Sequence, residues 1–194
     1  MIVWSPFRFN SGREMTNRFA LAPLTTDSSH DDGTATENEL EFVRRRAASG
    51  FGAAISSAAY VEQDGRSWQG IGATDDGHLS SLHRLAEAMR AAGGLAILQI
   101  YDGGRIAKPE LIGEQCLRAP SAVASLRPGA KTPRAMTANE VRNLKALVRL
   151  LPSLEKRVSM ALRSTERTTM RFISFFHLGP IIAQIIGAAR FQCV

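Results

Sequence analysis

The chain of 194 residues has few of the features that assign a protein quickly. Its two cysteines, Cys116 and Cys193, show no paired or metal-ligand spacing, so neither a disulfide framework nor a metal site is indicated. No charged-then-apolar leader opens the sequence, and with two unpaired thiols this predicts a reducing, cytoplasmic setting. No GxGxxG and no GxxxxGK[ST] follows any strand-like segment, so neither nucleotide fingerprint is present. His30, His78 and His83 fall in loop or helix-surface contexts and receive no role.

What is present is a globular composition, 44% hydrophobic and 22% charged, in a length sufficient for one well-cored domain. The net charge of +6 is unevenly placed. Residues 1–142 carry 16 basic and 16 acidic side chains; residues 143–194 carry 8 basic and 2 acidic ones, with no aspartate. Glycine divides the same way, 14 before the boundary and 2 after it.

Residues 7–15 read as two short strands about an Asn10-Ser11-Gly12 turn. Residues 18–22 form an apolar run stopped by Pro23, as in a buried strand. Thr36 and Glu39 have capping-box spacing and open a helix to about Ser49, where Gly50 and Gly52 stop it. A buried strand of small residues over 52–58 follows, then a helix over 79–89 and a strand over 95–100. Thr137 and Glu140 form a second capping box at the head of another helix. The alternation predicts an α/β fold on a parallel sheet, and at this level a barrel and an open doubly wound sheet both fit.

In either fold, functional groups gather where parallel strands end. Those positions hold Ala22-Pro23-Leu24-Thr25-Thr26, Ser57-Ala58-Ala59-Tyr60, and Gln99 through Arg105. They supply small residues, hydroxyls, an amide, a carboxylate and a guanidinium, without a nucleophile–base pair or a metal cluster. Such a set suits a flat cofactor with a polar edge, because small residues admit a ring and an amide can pair with donors and acceptors.

With Pro6-Phe7, Asn17-Arg18, Asp64-Gly65-Arg66 and residues 132–137, these stretches resemble the Old Yellow Enzyme-like NADH:flavin oxidoreductases over residues 5–142. The resemblance implies a (β/α)8 TIM barrel, of which this chain would hold the N-terminal hairpin and about three βα units. It also implies FMN as cofactor, NADH or NADPH as reductant, a small-molecule substrate, and neither nucleic-acid nor membrane partners. It leaves the oligomeric state open. Ala22, Pro23 and Leu24 would line the flavin, and Thr25 would stand near its pyrimidine carbonyl. Ala58 would pack close to the ring, and Gln99 would hydrogen-bond the pyrimidine edge. Asp102 and Arg105 would border the substrate side. The family pattern is close to QxxHxGR, so Asp102 stands where histidine is usual.

The family continues with a strand ending in AGFDGVEIHGANxYL and then QFFSPxxNxRxDxWGGS, whose HGAN histidine and asparagine hold the substrate carbonyl. Neither motif is visible after residue 142, so no catalytic residue is assigned in this frame. Codons that straddle the visible ones, taking one base from each residue and two from the next, permit R-E-A-G-F-D-G-V-E-I-H-G across 154–166. They permit F-F-S-P-R-T-N-N-R-T-D-H-W-G-G-S across 174–190, though the overlap of Met170 and Arg171 cannot give the expected leucine. The expectation is that residues 1–142 are the N-terminal part of an FMN-binding barrel. Residues 143–194 would then be a frameshifted tail without its own fold, created by a net one-base loss near codons 143–146. Such a fragment would be inactive.

Two rival readings of the tail exist. Residues 145–171 can be a basic segment for a membrane surface or nucleic acid, and residues 172–189 are uncharged for 18 residues, the lower limit for a spanning helix. On either, the protein would be a non-enzymatic α/β binding protein.

Overall fold

The computed structural model describes residues 2–10 and 12–146 and the backbone of 171–174. A two-stranded antiparallel hairpin comes first: β1 (Phe7–Arg8) pairs with β2 (Glu14–Met15). The main sheet is parallel throughout. It contains β3 (Ala20–Leu21), β4 (Ala53–Ile55), β5 (Ala59–Tyr60), β6 (Leu95–Tyr101) and β9 (Arg171–Ser174). Between these strands lie α1 (Glu37–Ala47) and α2 (Leu79–Met89). A short α3 (Pro109–Ile112), the parallel pair β7 (Arg118–Ala119) and β8 (Arg134–Ala135), and the helix α4 (138–146) follow β6.

β4 and β5 are two halves of one strand. Ala53 pairs with Leu95, whereas Ala59 pairs with Ile100, so one extra residue is accommodated between the halves while both run along β6. The single strand expected over 52–58 therefore carries a bulge at residues 56–58. A bulge turns neighbouring side chains to new directions at the end of a strand.

The core follows from two periodicities. In α2, Leu82, Leu85, Ala86 and Met89 are buried at helical spacing. In β6, Ala96, Leu98 and Ile100 alternate with half-buried Ile97 and Gln99, so one face packs on the helices and the other faces away from them. Each fully buried leucine or isoleucine contributes about 1.5–3 kcal/mol. Leu144, from α4, is buried in the same core.

β3 is less covered than its apolar sequence predicts: Ala20 is exposed and Leu21 half-buried. Only its β4 side is paired among the described residues. Its attachment comes from Asn17, whose side chain donates to Gly50 O at 2.8 Å and accepts from the N–H groups of Phe19 and Gly52. A Cβ on Gly52 would collide with Asn17 O, which explains why glycine opens β4.

No helix among the described residues is long and apolar enough to cross a membrane. Apart from the backbone of 172–174, the uncharged run 172–189 lies outside the described residues, as does Cys193.

Candidate cofactor site

Because β3, β4–β5 and β6 are parallel neighbours, their C-terminal ends share one edge of the sheet. That edge brings together all three stretches selected from the sequence. Ala22, Pro23, Leu24 and Thr25 are exposed there, Leu24 at 47%. Ala58, at the bulge, is buried beside Tyr60 and Tyr101 with Trp68 packed against them. Gln99 is half-buried on the face of β6 turned away from the helices. Its N–H donates to Ser56 Oγ at 3.1 Å, and its carboxamide has no hydrogen-bond partner among the described residues.

Beneath this edge, Glu39 is 2% exposed although it belongs to the first turn of α1. Half of the expected capping box is made: Glu39 N donates to Thr36 Oγ1 at 3.2 Å. The carboxylate turns inward instead and accepts from Thr26 Oγ1 at 3.0 Å, Ser29 Oγ at 2.7 Å and Ser57 Oγ at 3.3 Å. A buried carboxylate needs several donors, and three hydroxyls supply more than one backbone N–H can. Thr137 and Glu140 do form the reciprocal box, with Thr137 N donating to Glu140 Oε2 at 2.7 Å and Glu140 N to Thr137 Oγ1 at 3.2 Å.

Asp102 and Arg105, both expected to border the substrate side, differ in exposure. Arg105 is exposed, whereas Asp102 is 4% exposed and faces inward. Its Oδ1 accepts from Gly104 N at 2.9 Å; its Oδ2 is buried without a hydrogen bond. Arg118 Nη2 lies 3.8 Å from that oxygen. The same guanidinium pairs more closely with Glu62 and reaches Asp64 at 3.6 Å, so three carboxylates share one cation. Burial pushes the Asp102 carboxyl above its ordinary range, and the nearby Asp64 charge adds to the shift. A Cβ on Gly65 would strike Asp102, so the Asp64-Gly65-Arg66 turn must pass directly over the end of β6. Burial also pushes the Tyr101 hydroxyl up to about 12; it accepts from Ser67 N, and its ring stacks on Trp68 at 4.1 Å.

Residues 3–146 match the NADH:flavin oxidoreductase / NADH oxidase family. The chain belongs to that family. It is 41% identical over 143 residues to an NADH:fumarate oxidoreductase of Klebsiella pneumoniae (strain 342), covering 73% of this chain and 15% of that protein. It is 39% identical over 137 residues to an NADH:acrylate oxidoreductase of Vibrio harveyi, covering 70% of this chain and 14% of that protein. Among solved structures it superimposes on the old yellow enzyme homologue from Zymomonas mobilis with a TM-score of 0.64 and 28% identity, over 76% of this chain and 43% of that one. The chain thus spans a minor part of each of these proteins. The parallel sheet with its helices is the opening part of the family's TIM barrel, which resolves the choice between barrel and open sheet.

The site fits the family's FMN. An exposed apolar segment at 22–24, a small residue at 58 and a carboxamide at 99 without a hydrogen-bond partner among the described residues are groups that suit a flat ring with donors and acceptors on one edge. Sequence reasoning placed Ser57 in a strand-end stretch without a role of its own and missed Glu39 and Arg118. For Glu39 the signal present, a capping box, pointed to a local role; for Arg118 no local pattern existed. No group of three or more potential metal ligands occurs among the described residues.

Proposed function

We propose that residues 1–142 provide the pyrimidine-edge half of an FMN site in an NAD(P)H-dependent oxidoreductase of the ene-reductase type. Its substrate class would be α,β-unsaturated carbonyl compounds. The observation that carries this is the common sheet edge at which the segments holding Thr25, Ala58 and Gln99 end or leave neighbouring parallel strands. Leu24 and Pro23 give the ring an apolar contact, and Gln99 offers both a donor and an acceptor to its edge. Thr25 places a hydroxyl beside the same edge. When bound, FMN supplies the hydride chemistry; the protein's part is to bind, orient and tune it. The relatives named as NADH:fumarate and NADH:acrylate oxidoreductases support unsaturated carboxylates as substrates.

The proposal extends to the tail. Residues 143–194 are read as out-of-frame sequence, which accounts together for the lost aspartates, the lost glycines and the excess arginine. Support comes from the family match, which stops at residue 146, in the stretch where the lost base is placed. The phosphate-binding loops of such a barrel follow its last strands, outside the half-site read in residues 1–142. This chain alone is therefore expected to bind FMN weakly and to turn over no substrate. Sequencing the coding DNA from codon 135 past the stop tests this reading. HGAN and WGGS appearing in frame after one restored base would establish it, and an unrelated downstream frame would overturn it. Purified chain with stoichiometric FMN and NADH-dependent turnover would refute the inactive-fragment reading.

A further inference from the structure

Glu39 ties the cofactor-facing segments into one hydrogen-bonded unit. Its carboxylate accepts from Thr26, next to Thr25, and from Ser57, next to Ala58. Ser57 O in turn accepts from Ser56 Oγ at 2.6 Å, and Ser56 Oγ accepts from the N–H of Gln99 at 3.1 Å. The links Thr26–Glu39–Ser57–Ser56–Gln99, continued at Ser57 through its own covalent frame and ending on the Gln99 backbone N–H, therefore connect all three stretches that carry the half-site. Ser29, held at 2.7 Å, anchors the far side of the β3–α1 loop to the same carboxylate.

Helix capping does not require this arrangement. A capping carboxylate stays near solvent and serves its own helix, whereas Glu39 is 2% exposed and its three hydroxyl donors lie outside the helix. Fully satisfied buried networks fix one geometry because every alternative leaves a polar group without a partner. Ring recognition depends on such fixity: a hydroxyl and an amide misplaced by an ångström lose the alignment their hydrogen bonds need.

We infer that Glu39 is a positioning residue for flavin binding. Through Thr26, Ser57 and Ser56 it holds Thr25, Ala58 and Gln99 in register with the ring's pyrimidine edge. The inference rests on the flavin reading above. It assigns the register of the half-site to a side chain that need not touch the cofactor.

The test uses the whole 194-residue chain and lumiflavin, the ring system without the ribityl phosphate, so that the phosphate site does not enter. Fluorescence quenching gives affinity, and displacement of the visible absorption band reports the polar environment of the ring. Wild type is expected to quench and to displace the band. Glu39→Ala should weaken binding about tenfold or more and abolish the displacement. Glu39→Gln keeps an accepting oxygen, and a hydroxyl can reverse to meet its amide, so it should restore the band and bind within about threefold of wild type. Ser57→Ala removes one link and should give an intermediate displacement, which keeps the test decisive if Glu39→Ala does not fold. Ser81→Ala is the structural control: its Oγ accepts from Ala35 N at 2.7 Å and has no hydrogen bond to the chain of links. It should lower the melting temperature but leave the band unchanged. Wild-type affinity and band in Glu39→Ala, or in Ser57→Ala if the former does not fold, would overturn the inference while leaving the flavin reading intact. So would loss of the band in Ser81→Ala. Absence of any lumiflavin binding by folded wild type would overturn the flavin reading itself, and the inference with it.

Discussion

Two buried carboxylates lie under loops of the same sheet edge, and they are treated in opposite ways. Glu39 is surrounded by neutral donors, and both of its oxygens accept hydrogen bonds. Asp102 has one oxygen on a backbone N–H and the other buried without a hydrogen bond, near a cation already claimed by Glu62 and Asp64. Burial alone thus does not define what a buried acid does. The first arrangement stabilises one geometry of the loop. The second leaves a carboxyl that burial drives toward its protonated form at the position where the family usually has histidine.

Removing the shared cation should have the largest effect. Arg118→Ala would leave Glu62, Asp64 and Asp102 crowded without compensation, a loss of about 3–5 kcal/mol by analogy with broken buried pairs. Urea unfolding monitored by circular dichroism measures it, and a loss below about 1 kcal/mol would show that the cluster is solvated. Glu39→Ala should cost less in stability, about 1–3 kcal/mol, because its partners are neutral hydroxyls that water can partly satisfy. A cost as large as that of Arg118→Ala would erase the distinction between the two clusters.

These two regions also show how far the sequence was legible. The helix over 79–89 was readable because Leu82, Leu85, Ala86 and Met89 repeat at its period, and β6 because an apolar run follows the Gly93-Gly94 stop of that helix. The bulge between β4 and β5 was not, since a run of alanines and serines looks the same in either register. Arg118 was invisible as a site residue because its partners lie far back in the chain, at positions 62, 64 and 102.

A smaller effect is expected at the second capping box. Thr137→Ala removes the acceptor for Glu140 N at the head of α4 and should cost about 1 kcal/mol. Thermal unfolding at neutral pH checks it, and no change would mean that Leu144 and the Arg134–Glu140 pair hold α4 without the cap.

The last comparison reads a sign. Asp102 has a raised pKa, so its contribution is fully present below its ordinary 3.8 and is lost as pH rises through the raised value. Glu140 is held down to about 2, chiefly by Arg134 and then by Thr137. Its contribution is present above 4.5 and is lost as pH falls through about 2. Asp102→Asn should therefore raise stability at neutral pH and leave it nearly unchanged in acid, whereas Glu140→Gln should lower it at neutral pH. Stability–pH curves of both variants decide this; a parallel curve for Asp102→Asn would mean that the carboxyl ionises freely.

The sequence by itself determined the parallel α/β order, the family and the three stretches that end at one sheet edge, because periodicity, turn residues and motif order are local signals that survive without a fold. Which way Glu39 turns, and which cation Asp102 must share, only the tertiary structure decided. Glu39 has its cap partner three residues away and its hydroxyl partners ten, thirteen and eighteen residues away. Only folding brings those hydroxyls together, and once the carboxylate is buried among them, the desolvation cost favours the arrangement that satisfies it most fully.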